Sequence, residues 1–185
     1  MYGRILRPLY ILIFEKILGW RIIGNKPIAK KFVMVVAPHT SNWDFMVGVW
    51  ARSTLRMKAW YVAKKELFVW PFGYLFRALG GFPIDRKKST HLVDQIVDLF
   101  NSREYFNLTI TPEGTRSYND NWKTGFYHIA QKAGVPIQLV GFDYERRIVQ
   151  LGEPFTPTGN LEADIIEMKN WFKQFKGKVP ENGVK

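Results

Sequence analysis

The chain contains no cysteine. That absence excludes a disulfide scaffold, a thiolate zinc site and a cysteine nucleophile, and it fits a reducing compartment. Histidine is also scarce, occurring only at positions 39, 91 and 128, which argues against a histidine-rich metal site. Long apolar runs are missing. In the N-terminal stretch the longest unbroken one, Pro8 to Phe14, is far short of the ~20 residues a spanning helix needs. No small-residue cleavage site follows it, so a signal peptide is not expected. A G-x-S-x-G elbow, a P-loop and a G-x-G-x-x-G fingerprint are all absent. A serine hydrolase of the elbow type therefore has no visible nucleophile. No internal repeat, low-complexity tract or linker divides the chain.

What is present is 185 residues, enough for one domain with a real core. Lys and Arg number 27 against 16 Asp and Glu, a net charge of +11. Such a charge favours an anionic membrane surface, phosphorylated substrates or nucleic acid, although many basic proteins are merely soluble. Nothing resembles a nucleic-acid module, so no nucleic-acid partner is expected. In the N-terminal stretch Arg4, Arg7, Lys16 and Arg21 flank the apolar residues, and Trp20 sits at its end. That pattern reads as an amphipathic helix over residues 1–22, lying in a membrane interface or packed on the domain's own core.

Apolar and β-branched residues at 33–36 predict a buried strand that stops at Pro38. Ser41-Asn42-Trp43-Asp44 has the S-x-x-D form of a helix start, and a helix over Asp44–Leu55 follows. Further strands are expected at 59–63, 108–110, 136–142 and 147–151, with a short strand-like piece after Gly80-Gly81. Helices are expected after a cap at Ser89 or Thr90, at Gly125–Ala133 closed by Gly134, and at Leu161–Phe175, with a frayed tail. Phe68, Trp70, Phe72, Tyr74 and Phe76 alternate, but Pro71 and Gly73 turn this stretch into a loop and short helix. Those aromatics would line an acyl pocket, face lipid or pack in the core. Strands alternating with helices give an α/β class: a mostly parallel central sheet flanked by helices, with the amphipathic helix at the N-terminus.

His39 falls on the turn between a strand's carboxyl end and a helix start, the crevice where open α/β sheets bind ligands. Histidine exchanges protons near neutrality, and a carboxylate on its other ring nitrogen fixes the tautomer. Asp44, five positions on, can reach it across a turn. It can also be a simple helix cap. A histidine base with no protein nucleophile implies attack by water or a substrate hydroxyl. Asp85-Arg86 and Glu113-Gly114-Thr115-Arg116-Ser117 place guanidinium groups at turns, where they can grip phosphate or form salt-bridged loops.

Four blocks in this order resemble the glycerolipid acyltransferase family, the acyltransferases of lysophosphatidic acid and glycerol 3-phosphate. They are His39–Asp44 (H-x4-D); Lys65-Glu66-Leu67 through Gly80-Gly81 to Phe82-Pro83-Ile84-Asp85-Arg86; Pro112-Glu113-Gly114-Thr115-Arg116-Ser117; and Val135-Pro136-Ile137. The third block begins with Thr111 where the family carries phenylalanine, and Pro38 precedes the histidine where asparagine is frequent. The resemblance implies an acyltransferase domain over residues 23–185, joined to a membrane-contacting helix over 1–22. It implies transfer of a fatty acyl group to the free hydroxyl of 1-acylglycerol 3-phosphate, in phospholipid biosynthesis. The thioester donor would be acyl-CoA or acyl carrier protein. His39 would be the general base, oriented by Asp44. Arg86 and the turn of Glu113, Gly114, Thr115, Arg116 and Ser117 would hold the acceptor's phosphate. No metal or bound cofactor is implied. The protein would sit peripherally at the cytoplasmic face of a membrane. A different lyso-lipid, such as a lyso-aminolipid, is the alternative acceptor. A non-catalytic basic membrane-binding protein is the alternative class, and it leaves His39 and Asp44 without a role.

Overall fold

The computed structural model describes residues 7–70, 72–84 and 92–185. Among the described residues, seven strands form one sheet: β1 (Arg21–Ile23), β2 (Lys31–Ala37), β3 (Trp60–Lys64), β4 (Gly81–Ile84), β5 (Phe106–Ile110), β6 (Ile137–Asp143) and β7 (Ile148–Phe155). Their order across the sheet is β1-β7-β6-β2-β5-β3-β4. Only the β6–β7 hairpin is antiparallel; the other neighbours are parallel. The helices are α1 (Arg7–Ile11, continued by a π-helical turn, Leu12–Ile17), α2 (Trp43–Thr54), α3 (Phe72–Ala78), α4 (Leu92–Asn101), α5 (Gly125–Ala133) and α6 (Leu161–Phe172). This is the expected α/β class.

β2 occupies the middle of the sheet because nearly every residue in it is apolar, which suits burial on both faces. Its pleat sends alternate side chains to opposite layers. Val33, Val35 and Ala37 join a core cluster with Phe100 of α4, Phe126 and Tyr127 of α5, and Met168 and Phe172 of α6. Phe32, Met34 and Val36 join a second cluster with Val47, Trp50 and Ala51 of α2, and with Phe14 and Trp20. Helices therefore cover both sides of the sheet.

From β2 the chain moves two places along the sheet to β3, returns to fill the gap with β5, then crosses to the far side with β6. Parallel strands β5, β2 and β6 thus lie side by side with their carboxyl ends together. A reversal of strand order there opens a crevice.

The N-terminal segment packs on the domain's own core; its helix ends at Ile17 and not at residue 22, and residues 1–6 of the expected helix lie outside the described residues. Phe14 is fully buried and Trp20 nearly so, whereas Leu9, Leu12 and Ile17 are exposed. Among the described residues, no helix is long and apolar enough to cross a membrane. β1 was not expected; three residues carry too little pattern to announce a strand. Two corrections concern the C-terminus. α6 ends at Phe172 and not at Phe175. The last ten residues are not frayed. Phe175 is buried, Tyr144 N–H donates to Lys176 O at 2.8 Å, and Lys178 Nζ lies 4.6 Å from the Trp43 ring centre.

Candidate active site

The turn after β2 carries His39, and α2 begins four residues later. Asp44, in the first turn of α2, is almost fully buried. Its Oδ2 lies 3.0 Å from His39 Nδ1 and accepts the N–H groups of Thr40 and Ser41 at 2.8 and 2.9 Å. The Ser41 bond is half of a capping box, so the cap and the histidine partner are one carboxylate doing both. A helix N-terminus also favours the negative charge. A carboxylate on Nδ1 holds the ring proton there and leaves the Nε2 lone pair free. The His39 side chain keeps about a quarter of its surface exposed, so the ring is reachable.

The third motif block arrives from β5, the neighbour of β2. Glu113 points inward and is 4 % exposed. Its Oε1 accepts the backbone N–H of His39 at 3.0 Å, which ties the two blocks together. Burial pushes the Glu113 carboxyl above the usual carboxylate range, and the His39 N–H opposes this. Its Oε2 is buried with no hydrogen-bond partner. The side chain of Glu113 therefore supports the histidine loop and does not face outward with the rest of the turn. Gly114 sits at φ 67°, a left-handed conformation that glycine adopts without strain. Gly114, Thr115, Arg116 and Ser117 are exposed. Arg116 Nη1 donates to Asn42 Oδ1, so the guanidinium lies across the start of α2. The Ser117 N–H donates to Thr115 Oγ1 at 3.3 Å. Arg86 lies outside the described residues, as do Asp85 and the expected caps Ser89 and Thr90.

His39, Asn42, Asp44, Gly114, Thr115 and Arg116 form the polar end of a cavity of about 590 Å³. The rest of its wall is mainly apolar, built from Met34 and Val36 of β2, Val49 of α2, and Val140 and Phe142 of β6. The cavity runs between α2 and the sheet. Gly48 faces it, because a Cβ there would meet only Phe142, at 3.8 Å. Arg52 also lines it, but its guanidinium is committed to Ala59 O at 3.0 Å and Leu79 O at 2.6 Å. Phe45 and Tyr61, two further lining residues, pack their rings edge-on at 5.5 Å.

The alternating aromatics divide. Phe68 is buried, and Phe76 packs on Phe45. Trp70, Phe72 and Tyr74 point outward, 82 %, 63 % and 74 % exposed. Among the described residues, no three His, Asp or Glu side chains cluster to hold a metal ion.

Sequence reasoning missed Tyr144. Its hydroxyl donates to Asp44 Oδ1 at 2.6 Å across a separation of 100 residues. The only local signal was its position just past the end of a predicted strand, on the same edge of the sheet as His39.

The family model for acyltransferases matches residues 20–142, more than half of the chain. The chain is 33 % identical over 126 residues to a 1-acyl-sn-glycerol-3-phosphate acyltransferase of Saccharomyces cerevisiae, covering 63 % of this chain and 40 % of that one. It is 32 % identical over 178 residues to the enzyme of the same name from Streptococcus pneumoniae, covering 91 % of this chain and 61 % of the other. The chain thus spans about half the length of the curated relatives it matches. Its fold matches the crystal structure of the 1-acyl-sn-glycerophosphate (LPA) acyltransferase PlsC from Thermotoga maritima. That TM-score is 0.66 at 19 % identity, over 93 % of this chain and 77 % of the other. On the family match, the chain belongs to the acyltransferase family.

Proposed function

We propose that the protein transfers a fatty acyl group from acyl-CoA or acyl carrier protein to the free hydroxyl of 1-acylglycerol 3-phosphate. One observation carries the reading: the His39–Asp44 pair stands at the polar end of a large, mainly apolar cavity. A well-formed apolar pocket of this size with a few convergent polar groups is the form that ligand sites take. An acyl chain in the cavity would bring its thioester carbonyl to His39. Nε2 takes the proton from the acceptor hydroxyl as the oxygen attacks that carbonyl, and the thiolate leaves. Asp44 keeps the ring in the required tautomer and stabilises the imidazolium. Arg116, with Arg86 from the second block, binds the acceptor's phosphate, as guanidinium groups do. Glu113 holds the His39 loop.

The surface supports a peripheral membrane location. Leu9, Leu12 and Ile17 of the N-terminal segment are exposed, as are Val69, Trp70, Phe72, Tyr74 and Leu75 around α3. Both segments border the end of α2: Arg7 donates to Thr54 O at 3.3 Å, and Arg52 donates to Leu79 O. Exposed Trp and Tyr beside Lys65 and Arg77 suit the interface of an anionic bilayer, and the net charge of +11 adds to the attraction.

The test is purified protein, labelled acyl donor and a panel of lyso-lipids presented in anionic vesicles. Turnover is expected with 1-acylglycerol 3-phosphate, and His39→Ala should lower it by roughly 10²–10⁴-fold with an unchanged circular dichroism spectrum. Near-normal turnover in that variant overturns the mechanism. Preference for a lyso-aminolipid overturns the acceptor alone.

A further inference from the structure

Asp44 is buried, and a buried carboxylate needs partners on both oxygens. Oδ2 has three: His39 Nδ1 and the N–H groups of Thr40 and Ser41. Oδ1 receives the hydroxyl of Tyr144. We infer that Tyr144 is a positioning residue for the His39–Asp44 pair, clamping the carboxylate so that Oδ2 stays directed at His39 Nδ1. The inference rests on the acyl-transfer reading for its kinetic consequence but not for its geometry.

Tyr144 is itself held from three sides. It follows β6 directly, where buried Asp143 ties down the turn by accepting Arg146 N–H at 2.7 Å and Arg146 Nε at 2.9 Å. Its own N–H is bound to Lys176 O in the C-terminal tail. The ring of Trp20 meets it edge-on, with centroids 4.9 Å apart and planes at 90°. Trp20 in turn stacks on the buried Phe14 ring at 5.8 Å. The N-terminal segment therefore reaches the dyad through two ring contacts and one hydrogen bond.

The hydroxyl is a dependable donor. Burial first, and the bond to Asp44 second, hold the phenol well above its usual ionisation range, so it keeps the proton it donates to Asp44. Without it, Oδ1 would be a buried acceptor with no partner. The carboxylate could then rotate about its Cβ–Cγ bond, and rotation misaligns Oδ2 with Nδ1. Tyr144 does not line the cavity, so its loss should leave substrate binding alone.

The experiment is Tyr144→Phe in the full chain, which keeps the ring against Trp20 and removes only the hydroxyl. Two readouts are taken. In steady-state kinetics kcat should fall on the order of tenfold, with KM for donor and acceptor unchanged. In spectra of protein labelled with 15N-histidine, with the His39 signal assigned by its loss in His39→Ala, the wild type should show the Nδ1-protonated tautomer. Tyr144→Phe should show a mixture. A variant with wild-type kcat and an unchanged His39 signal overturns the inference, as does a kcat loss accompanied by an unchanged tautomer. If wild-type protein transfers no acyl group yet the tautomer shifts in the variant, the positioning role stands and the proposed reaction falls. If His39→Ala is inactive while Tyr144→Phe is unaffected, the reaction stands and the positioning role falls.

Discussion

The face of the sheet covered by α4, α5 and α6 and the face covered by α2 and the N-terminal segment share the same strands but are filled differently. On the first, large side chains close the space: Phe100 and Phe106 meet edge-on at 4.8 Å, and Trp122 meets Phe172 at 5.7 Å. On the second, α2 stands over a cavity of about 590 Å³, with a glycine at the middle of its inner face. Protein interiors are normally packed to crystal density, so the lining of such a space makes fewer contacts than a filled core does. One face is thus closed by packing throughout, whereas the other is part packed core and part open cavity. Every residue of the polar end also comes from the loops and helix start at the carboxyl edge that serve the second face.

That comparison can be broken or sharpened by substitution. The largest effect should come from the packed face. Phe100→Ala removes a fully buried ring and is expected to destabilise the fold by about 3–5 kcal/mol in a urea melt, with KM unchanged at temperatures where the variant stays folded. A loss under about 1 kcal/mol would show that this face, too, is loosely filled. A smaller effect is expected from Gly48→Leu, which places a side chain into the cavity beside Phe142. It should shift preference several-fold towards shorter acyl chains and should not lower stability, since glycine inside a helix is itself unfavourable by roughly 1 kcal/mol relative to alanine. An unchanged chain-length profile would separate the cavity from the acyl group.

The smallest effect concerns Glu113→Gln. Burial raises the folded-state pKa of Glu113, so the folded protein favours its protonated form more than the unfolded chain does. Its stabilising contribution is therefore present below the ordinary carboxylate range and is lost as the pH rises through the raised value. Glutamine can still accept the His39 N–H but cannot ionise. The melting temperature of Glu113→Gln should exceed that of the wild type at neutral pH, and the difference should shrink as the pH falls to the carboxylate range. A difference independent of pH would mean that the ionisation of Glu113 contributes nothing.

Much of the fold was legible because its signals are local. A run of apolar residues ending at Pro38 is a strand wherever it sits in the sheet, and S-x-x-D begins a helix through contacts within four residues. Gly134 closes α5 in a left-handed conformation, as its place in the sequence predicted. The tail was misread because its partners are distant. Phe175 lies over Gly141 so closely that a Cβ there would come within 2.3 Å of the ring. A glycine inside a strand is the sequence trace of such an approach. The aromatic stretch at 68–76 defeated a single assignment because its residues divide between buried packing and surface, which alternation alone cannot apportion.

The sequence by itself determined the α/β class, most of the elements, the placing of His39 and Asp44 about one turn, and the order of the motif blocks. All of these depend on spacing along the chain. Only the tertiary structure decided that β5, β2 and β6 are neighbours, that Glu113 turns inward to the His39 backbone, that Tyr144 closes the second oxygen of Asp44, and that a cavity opens beside them. Those relations join residues 74 and 100 positions apart. Nothing local specifies them; they follow from strand order and from the requirement that each buried polar group find a partner.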